Sequence, residues 1–194
     1  MSFRIEEKLL IHNNQLLEFK EFLFKKKAKQ HYPPRKVKSL YFENFRDEMY
    51  TDSLEGTVPR KKIRVRNYPN SENSSLYLEM KISSVEGRYK TSKKINQNKF
   101  SEIKNLGIYD NQYGACYPKI FVEYIREYYK FNDIRISIDK DISYTLFSGR
   151  KLGNDVNSIV ELKTNPNKDR DDILNLFPFQ RIRFSKYCNG YEKI

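Results

Sequence analysis

Short stretches in which apolar and polar residues alternate one by one recur along this chain, and that period constrains its fold more than any other feature. In KIRVRNY, Ile63 and Val65 alternate with Arg64, Arg66 and Tyr68. In IRISID, Ile134, Ile136 and Ile138 alternate with Arg135, Ser137 and Asp139, and YLEMK sets Glu79 and Lys81 against Leu78 and Met80. VELK sets Glu161 and Lys163 against Val160 and Leu162, and VEYIREYY puts Tyr124 and Arg126 on one side. The first such stretch, FRIEEKLLI, sets Arg4, Glu6 and Lys8 against Phe3, Ile5, Glu7 and Leu9. Successive side chains of a strand point to opposite faces, so each stretch reads as a strand with one apolar and one charged face.

Strands are expected at Phe3–Ile11, Val37–Asn44, Lys61–Tyr68, Leu76–Ser83, Arg88–Ile95, Ile120–Phe131, Ile134–Ile142 and Ser158–Lys163, with a last one near Arg181–Tyr187. Pro69-Asn70-Ser71, Glu86-Gly87, Asn132-Asp133 and Ser148-Gly149 supply turn chemistry between them. A helix from about Asn14 to Lys29, capped by Asn13 or Asn14, is expected to stop at Pro33-Pro34. Shorter helices fit Lys99–Leu106, closed by Gly107, and Arg170–Phe177, opened by Asp169 and ended by Pro178. No repeat, low-complexity tract or linker divides the chain, so residues 1–194 read as a single domain. The class is α+β, mostly antiparallel β, as a barrel or a strongly curved sheet with a few flanking helices.

Lys and Arg number 37 against 25 Asp and Glu, and the resulting net charge of +12 predicts an anionic partner: nucleic acid, polyphosphate, a nucleotide or an acidic membrane face. No run approaches the roughly 20 apolar residues of a membrane helix. Glu6 and Glu7 stand where a signal peptide would be apolar, and Cys116 and Cys188 make no disulfide framework or zinc cluster with His12 and His31. A reduced, cytoplasmic setting is the expectation.

An ordinary one-sided sheet would leave the charged faces in solvent. A closed eight-stranded barrel does the reverse: apolar faces turn outward under helices and charged faces line the interior. Such a lining would hold Lys8, Arg64, Arg66, Lys81, Lys90, Arg126, Arg135 and Lys186, with Glu6, Glu79, Asp139 and Glu161 among them. Cations at that density repel one another unless an anion sits between them, and a polyanion is the natural occupant. Glu161, helped by Glu6 and Asp139, would suit Mn2+ or Mg2+, which binds through one or two carboxylates plus substrate phosphates. Alternatively each acid neutralises a neighbouring Arg.

The ordered series FRIEEK, SLYFEN, KIRVRNY, YLEMK, VEYIREYY, IRISID, VELK and FSKYCNG resembles the VTC domain, the catalytic module of polyphosphate polymerases, over Phe3 to about Gly190. That domain belongs to the triphosphate tunnel (CYTH-like) superfamily. The resemblance implies a closed tunnel of eight antiparallel strands that holds triphosphate or polyphosphate. By motif, Lys8, Arg64, Arg66, Lys81, Arg126, Arg135 and Lys186 match the catalytic cations, and Glu161 the metal-binding glutamate. Lys90 of YKTSKK fills the remaining basic position, with Lys93 and Lys94 as alternatives; Lys90, Tyr124 and Lys163 are expected to contact substrate. The first strand reads Arg4-x-Glu6-x-Lys8 where the wider superfamily has E-x-E-x-K, one acid fewer for metal, and Glu43 stands where Asp is usual.

Three functions follow from this reading. A metal-dependent phosphotransferase would pass the ATP γ-phosphate to a growing polyphosphate, using Arg and Lys for charge neutralisation and no covalent nucleophile. An inorganic triphosphatase would use the same residues with water as acceptor. A non-catalytic basic module would bind polyphosphate, RNA or an acidic membrane surface, with no specific nucleic acid expected. The SPX-type sensor and membrane channel of the eukaryotic polymerases are not in this sequence, so export of product, at the inner face of a membrane, is expected to need a separate membrane protein partner.

Overall fold

The computed structural model describes residues 5–69, 75–165 and 170–194. In chain order these form β1 (Ile5–Ile11), α1 (Leu16–Lys25), β2 (Lys29–Asn44), α2 (Glu48–Glu55), β3 (Arg60–Asn67), β4 (Leu76–Ser84) and β5 (Gly87–Ile95). There follow α3 (Gln97–Leu106), β6 (Ile108–Asp110), β7 (Gly114–Phe131), β8 (Ile134–Leu146), β9 (Lys151–Asn154), β10 (Ser158–Thr164), α4 (Arg170–Leu176) and α5 (Lys186–Tyr191). The expected positions Phe3, Arg4, Asn70, Ser71 and Asp169 lie outside the described residues.

The strands pair in the order β1-β10-β8-β7-β2-β3-β4-β5, with β6 on β7 and β9 on β8. Eight strands thus form the path, but among the described residues no pairing joins β1 to β5, so the sheet is open where a closed barrel was expected. The outer edge of β1 is occupied by a non-strand segment: the Leu10 N–H donates to the Gln180 carbonyl at 2.8 Å, and the Ile182 N–H to the Lys8 carbonyl at 2.9 Å. The outer edge of β5 carries exposed Arg88, Lys90, Lys93 and Lys94, and charge of that kind discourages further pairing.

The chain forms two compact units, and each has its own core. The first comprises residues 1–35, 124–142 and 154–184. Here Leu9 and Ile11 of β1, Ile134, Ile136 and Ile138 of β8, and Val160 and Leu162 of β10 pack on Phe19 and Leu23 of α1 and on Ile173 and Phe177. The apolar faces therefore do lie beneath helices. α1 ends at Lys25, earlier than expected, because Lys27 turns left-handed (φ 59°) and the Ala28 N–H returns to the Leu23 carbonyl at 2.9 Å. Pro33 and Pro34 are not its stop; they sit in the exposed first half of β2. A 3-10 turn, Asn13–Gln15, precedes the helix, and no Asn side chain caps it.

The second unit comprises residues 36–123, 143–153 and 185–194. Leu40 and Phe42 of β2, Ile63 and Val65 of β3 and Leu76 of β4 pack under Met49 of α2 and Ile103 of α3. α3 ends at Gly107 (φ 82°) as expected but starts at Gln97, two residues earlier, because the Asn96 side chain caps it by accepting from the Lys99 N–H. The strand expected near Arg181–Tyr187 does not form. Arg181 makes one isolated bridge, to Leu9, and the Ser185 side chain accepts from the Cys188 N–H to start α5 instead. Within α5, a Cβ at Gly190 would come within 2.5 Å of Ile120 Cδ1 and 2.4 Å of Tyr144 Cδ1, so only glycine lets the helix seat there.

Candidate functional site

In the second unit, strand register sets the charged face residue by residue. Tyr41 lies opposite Arg64, and Arg64 opposite Glu79; Ser39 lies opposite Arg66. Beside them Lys62 lies opposite Lys81, and Lys81 opposite Lys90, so three lysines stand abreast across β3, β4 and β5. Lys94 shares this face, being two residues from Ser92 opposite Glu79, whereas Lys93 lies opposite Leu78 and belongs to the apolar side.

The arginines here are fixed, not free-swinging. Arg64 donates through Nε and Nη2 to Glu79 Oε2 at 2.8 and 2.6 Å and through Nη1 to the Tyr41 hydroxyl at 2.8 Å. Arg66 Nε donates to Ser39 Oγ at 3.0 Å, and Lys90 pairs with Glu79 Oε1. Burial alone would raise the Glu79 carboxyl, but Arg64, Arg66 and Lys90 outweigh it and hold it at about 2. Burial would likewise raise the Tyr41 phenol, and Arg64 and Arg66 draw it below its ordinary value instead. Burial lowers the Lys62 ammonium, which donates to Ser185 Oγ at 2.8 Å.

The first unit answers differently. Across β1, β10 and β8, Lys8 faces Glu161 and Glu161 faces Ser137, while Glu6 faces Lys163 and Lys163 faces Arg135. Acid and base alternate along β1 and β10 and across that pair, while the step to β8 sets Lys163 beside Arg135. Arg126 grips Asp139 with both ends, Nε to Oδ1 at 2.6 Å and Nη2 to Oδ2 at 2.7 Å, and its guanidinium lies 5.3 Å from the ring centroid of buried Tyr124. Burial would lower Arg126, but Asp139 raises it well above its ordinary value. Lys163 Nζ lies 3.1 Å from Glu6 and 3.5 Å from Glu161, and Arg126 Nη2 lies 3.8 Å from Glu161. Lys8 Nζ donates to the Phe184 carbonyl.

The sequence-derived candidates thus fall into two groups. Lys8, Tyr124, Arg126, Arg135 and Lys163, with the acids Glu6, Asp139 and Glu161, stand together in the first unit; Arg64, Arg66, Lys81 and Lys90 stand together in the second. Lys186 also lies in the second unit, opening α5 where a strand position was expected, directly after Ser185 to which Lys62 donates. Among the described residues no group of three Asp, Glu, His or Cys side chains could by itself hold a metal ion. Asp139 is fully buried and engaged by Arg126, so of the three acids Glu161 and Glu6 fit a hard cation better. One or two carboxylates suffice for Mg2+ or Mn2+ when phosphate oxygens complete the shell.

Two roles were not read from the sequence. Lys62 continues the Arg64, Arg66 alternation by one step, a signal present in KKIRVRN. Glu43 is structural: it accepts from the N–H groups of Asn44, Met49 and Tyr50 at 2.9, 3.1 and 2.9 Å, and from the Tyr187 hydroxyl. It thereby caps α2 and ties down α5, and burial raises its carboxyl despite those bonds.

A family model described as the VTC domain matches residues 3–194. No curated protein matches the sequence. Among solved structures, an adenylyl cyclase candidate from Hippeastrum with a dominant triphosphatase activity superposes with a TM-score of 0.64 at 13% identity, over 97% of this chain and 95% of that one. An adenylate cyclase candidate from Vibrio parahaemolyticus gives 0.63 at 12% identity, over 98% of each chain. A conserved hypothetical protein from Pyrococcus furiosus gives 0.61 at 16% identity, over 95% and 99%. At these identities the likenesses establish the fold. Among the described residues no helix is long and apolar enough to cross a membrane.

Proposed function

Because the chain belongs to the VTC domain family, we propose that it is a metal-dependent phosphotransferase of the polyphosphate polymerase type, which moves the ATP γ-phosphate onto a polyphosphate held by its charged strand faces. The observation that carries this reading is the row Lys62, Lys81 and Lys90 beside Arg64 and Arg66. Like charges directly opposite one another on neighbouring strands are destabilising, and a phosphate chain relieves that repulsion.

Phosphoryl transfer asks for positioning and charge neutralisation more than for covalent chemistry. Arg64 and Arg126, each locked by a carboxylate, present their remaining N–H groups in a fixed direction, which suits planar contacts to phosphate oxygens. Arg66, Arg135, Lys8, Lys81, Lys90 and Lys186 add donors, Lys163 holds Glu6 and Glu161 in place, and Tyr124 supports Arg126. Glu161, with Glu6, would hold Mn2+ or Mg2+, whose chemistry when bound is to neutralise charge on the transferring phosphate.

The second reading is an inorganic triphosphatase, favoured by the triphosphatase activity of the Hippeastrum protein. Incubating purified protein with ATP and Mn2+, with and without a pyrophosphate primer, separates the two. Polymer formation is expected; phosphate release alone supports the triphosphatase.

A further inference from the structure

β7 carries Tyr124, Arg126 and Tyr128 on one face, and Tyr128 stands about 7 Å along the strand from Arg126. Two side chains from the first half of β2 close around it. The Tyr32 and Tyr128 rings meet edge to face with centroids 5.7 Å apart, and the Arg35 guanidinium carbon lies 5.1 Å from the first centroid and 5.7 Å from the second. The His31 ring lies 4.1 Å from that of Tyr32.

This corner is not part of either core. Tyr32 is 46% exposed, Arg35 is exposed, and neither joins the apolar clusters under the helices. Exposed Tyr32 and half-buried Tyr128, lined up with an arginine, offer flat faces to a flat ligand, and Pro33-Pro34, between Tyr32 and Arg35, fixes the backbone that presents them. The ladder then reads, along one strand face, as a guanidinium suited to phosphate followed by a stacking corner.

We propose that Tyr32, Arg35 and Tyr128 form a stacking site for the base of a nucleoside triphosphate whose phosphates lie toward Arg126. This deepens the phosphotransferase reading and rests on it. It assigns a residue set to nucleotide selection over inorganic triphosphate: the charged faces take any condensed phosphate, and the corner adds affinity only when a base is attached. A single corner accommodates one base. A single-stranded nucleic acid would instead use a succession of such platforms.

The test is calorimetric titration of the intact protein with ATP and, separately, with tripolyphosphate, for the wild type, Tyr32→Ala/Tyr128→Ala and Tyr32→Phe/Tyr128→Phe. The alanine pair is expected to weaken ATP about 10- to 100-fold, with tripolyphosphate within about twofold of wild type and the phenylalanine pair close to wild type on both ligands. If tripolyphosphate binds the wild type but the alanine pair leaves ATP unchanged, or weakens both ligands equally, the base site is overturned and the phosphotransferase reading stands. If the wild type binds neither ligand, both fall. If the alanine pair loses affinity for a single-stranded oligonucleotide and not for ATP, the corner belongs to nucleic acid and the proposal is overturned.

Discussion

The charged faces of the two units solve the same problem, many ionised groups on adjacent strands, in opposite ways. On the face of the second unit β3 carries four Lys and Arg residues, β4 one and β5 three, against the lone acid Glu79 of those strands. β1 and β10 instead place Glu6 opposite Lys163 and Lys8 opposite Glu161, so each of these lysines has an acid as its cross-strand neighbour, while the exposed Arg135 of β8 stands opposite Lys163. The first arrangement keeps a surplus of positive charge that an external anion must balance. The second is balanced already, and its gain from a ligand comes from exchanging one partner for another, as when a hard cation competes with Lys163 for Glu161. On the phosphotransferase reading, this difference would give polyphosphate holding mainly to the second unit and ion holding to the first.

The sharpest way to break that comparison is to remove the central arginine from each face. Arg126→Ala exposes the greater stability loss, about 3–5 kcal/mol in denaturant unfolding, because Asp139 is fully buried and loses both ends of its grip. Arg64→Ala costs less, about 1–3 kcal/mol, since Lys90 and Arg66 still neutralise Glu79. For polyphosphate affinity the order reverses, and Arg64→Ala should weaken binding more. Equal effects of the two substitutions on both stability and binding would erase the distinction between the units.

Glu161→Gln comes next. It should weaken Mn2+ binding by at least about tenfold in a titration with tripolyphosphate present, since a hard cation loses a charged oxygen ligand. Glu79→Gln should leave that titration unmoved. A loss in Glu79→Gln equal to that in Glu161→Gln would put the ion in the wrong unit.

Acid sharpens the role of Glu79 further. Its folded carboxyl is held at about 2, below its ordinary 4.5, so the stability it contributes is fully present above pH 4.5 and fades as pH falls toward 2. The difference in unfolding free energy between wild type and Glu79→Gln should be constant from pH 5 to 7 and shrink between 4.5 and 2. A constant difference down to pH 2 would show that the arginines do not hold the carboxylate.

Much of this was legible from period alone. Two-residue alternation sorted Arg64 from Val65 and Glu161 from Leu162 correctly because a strand face is a local property. What the sequence concealed depends on distant contacts. α2 hangs on Glu43, whose acceptors meet amides six and seven residues on, and no capping pattern of the ordinary spacing announces it. α5 replaced an expected strand because Ser185 caps it and Gly190 admits it against Ile120 and Tyr144, a closeness that only the packed unit defines. The choice among Lys90, Lys93 and Lys94 likewise needed register: KTSKK alternates too weakly to say which lysine faces Glu79.

The smallest effect concerns the lysine row. Lys81 has Lys62 on one side and Lys90 on the other, so it sits where repulsion is greatest and where a bound phosphate chain gains most by screening. Lys81→Gln should therefore change the stability of the free protein by no more than a few tenths of a kcal/mol, about the worth of one cross-strand pair. It should also flatten the dependence of log affinity for polyphosphate on log salt by about one unit, the loss of one released counterion. The matching change in the first unit, Lys163→Gln, should behave differently: it removes the partner of Glu6 and Glu161, so stability falls and the salt slope moves less. If Lys163→Gln flattens the slope as much as Lys81→Gln, the two faces share the phosphate chain equally, and the balanced charge of the first unit does not keep it from the polyanion.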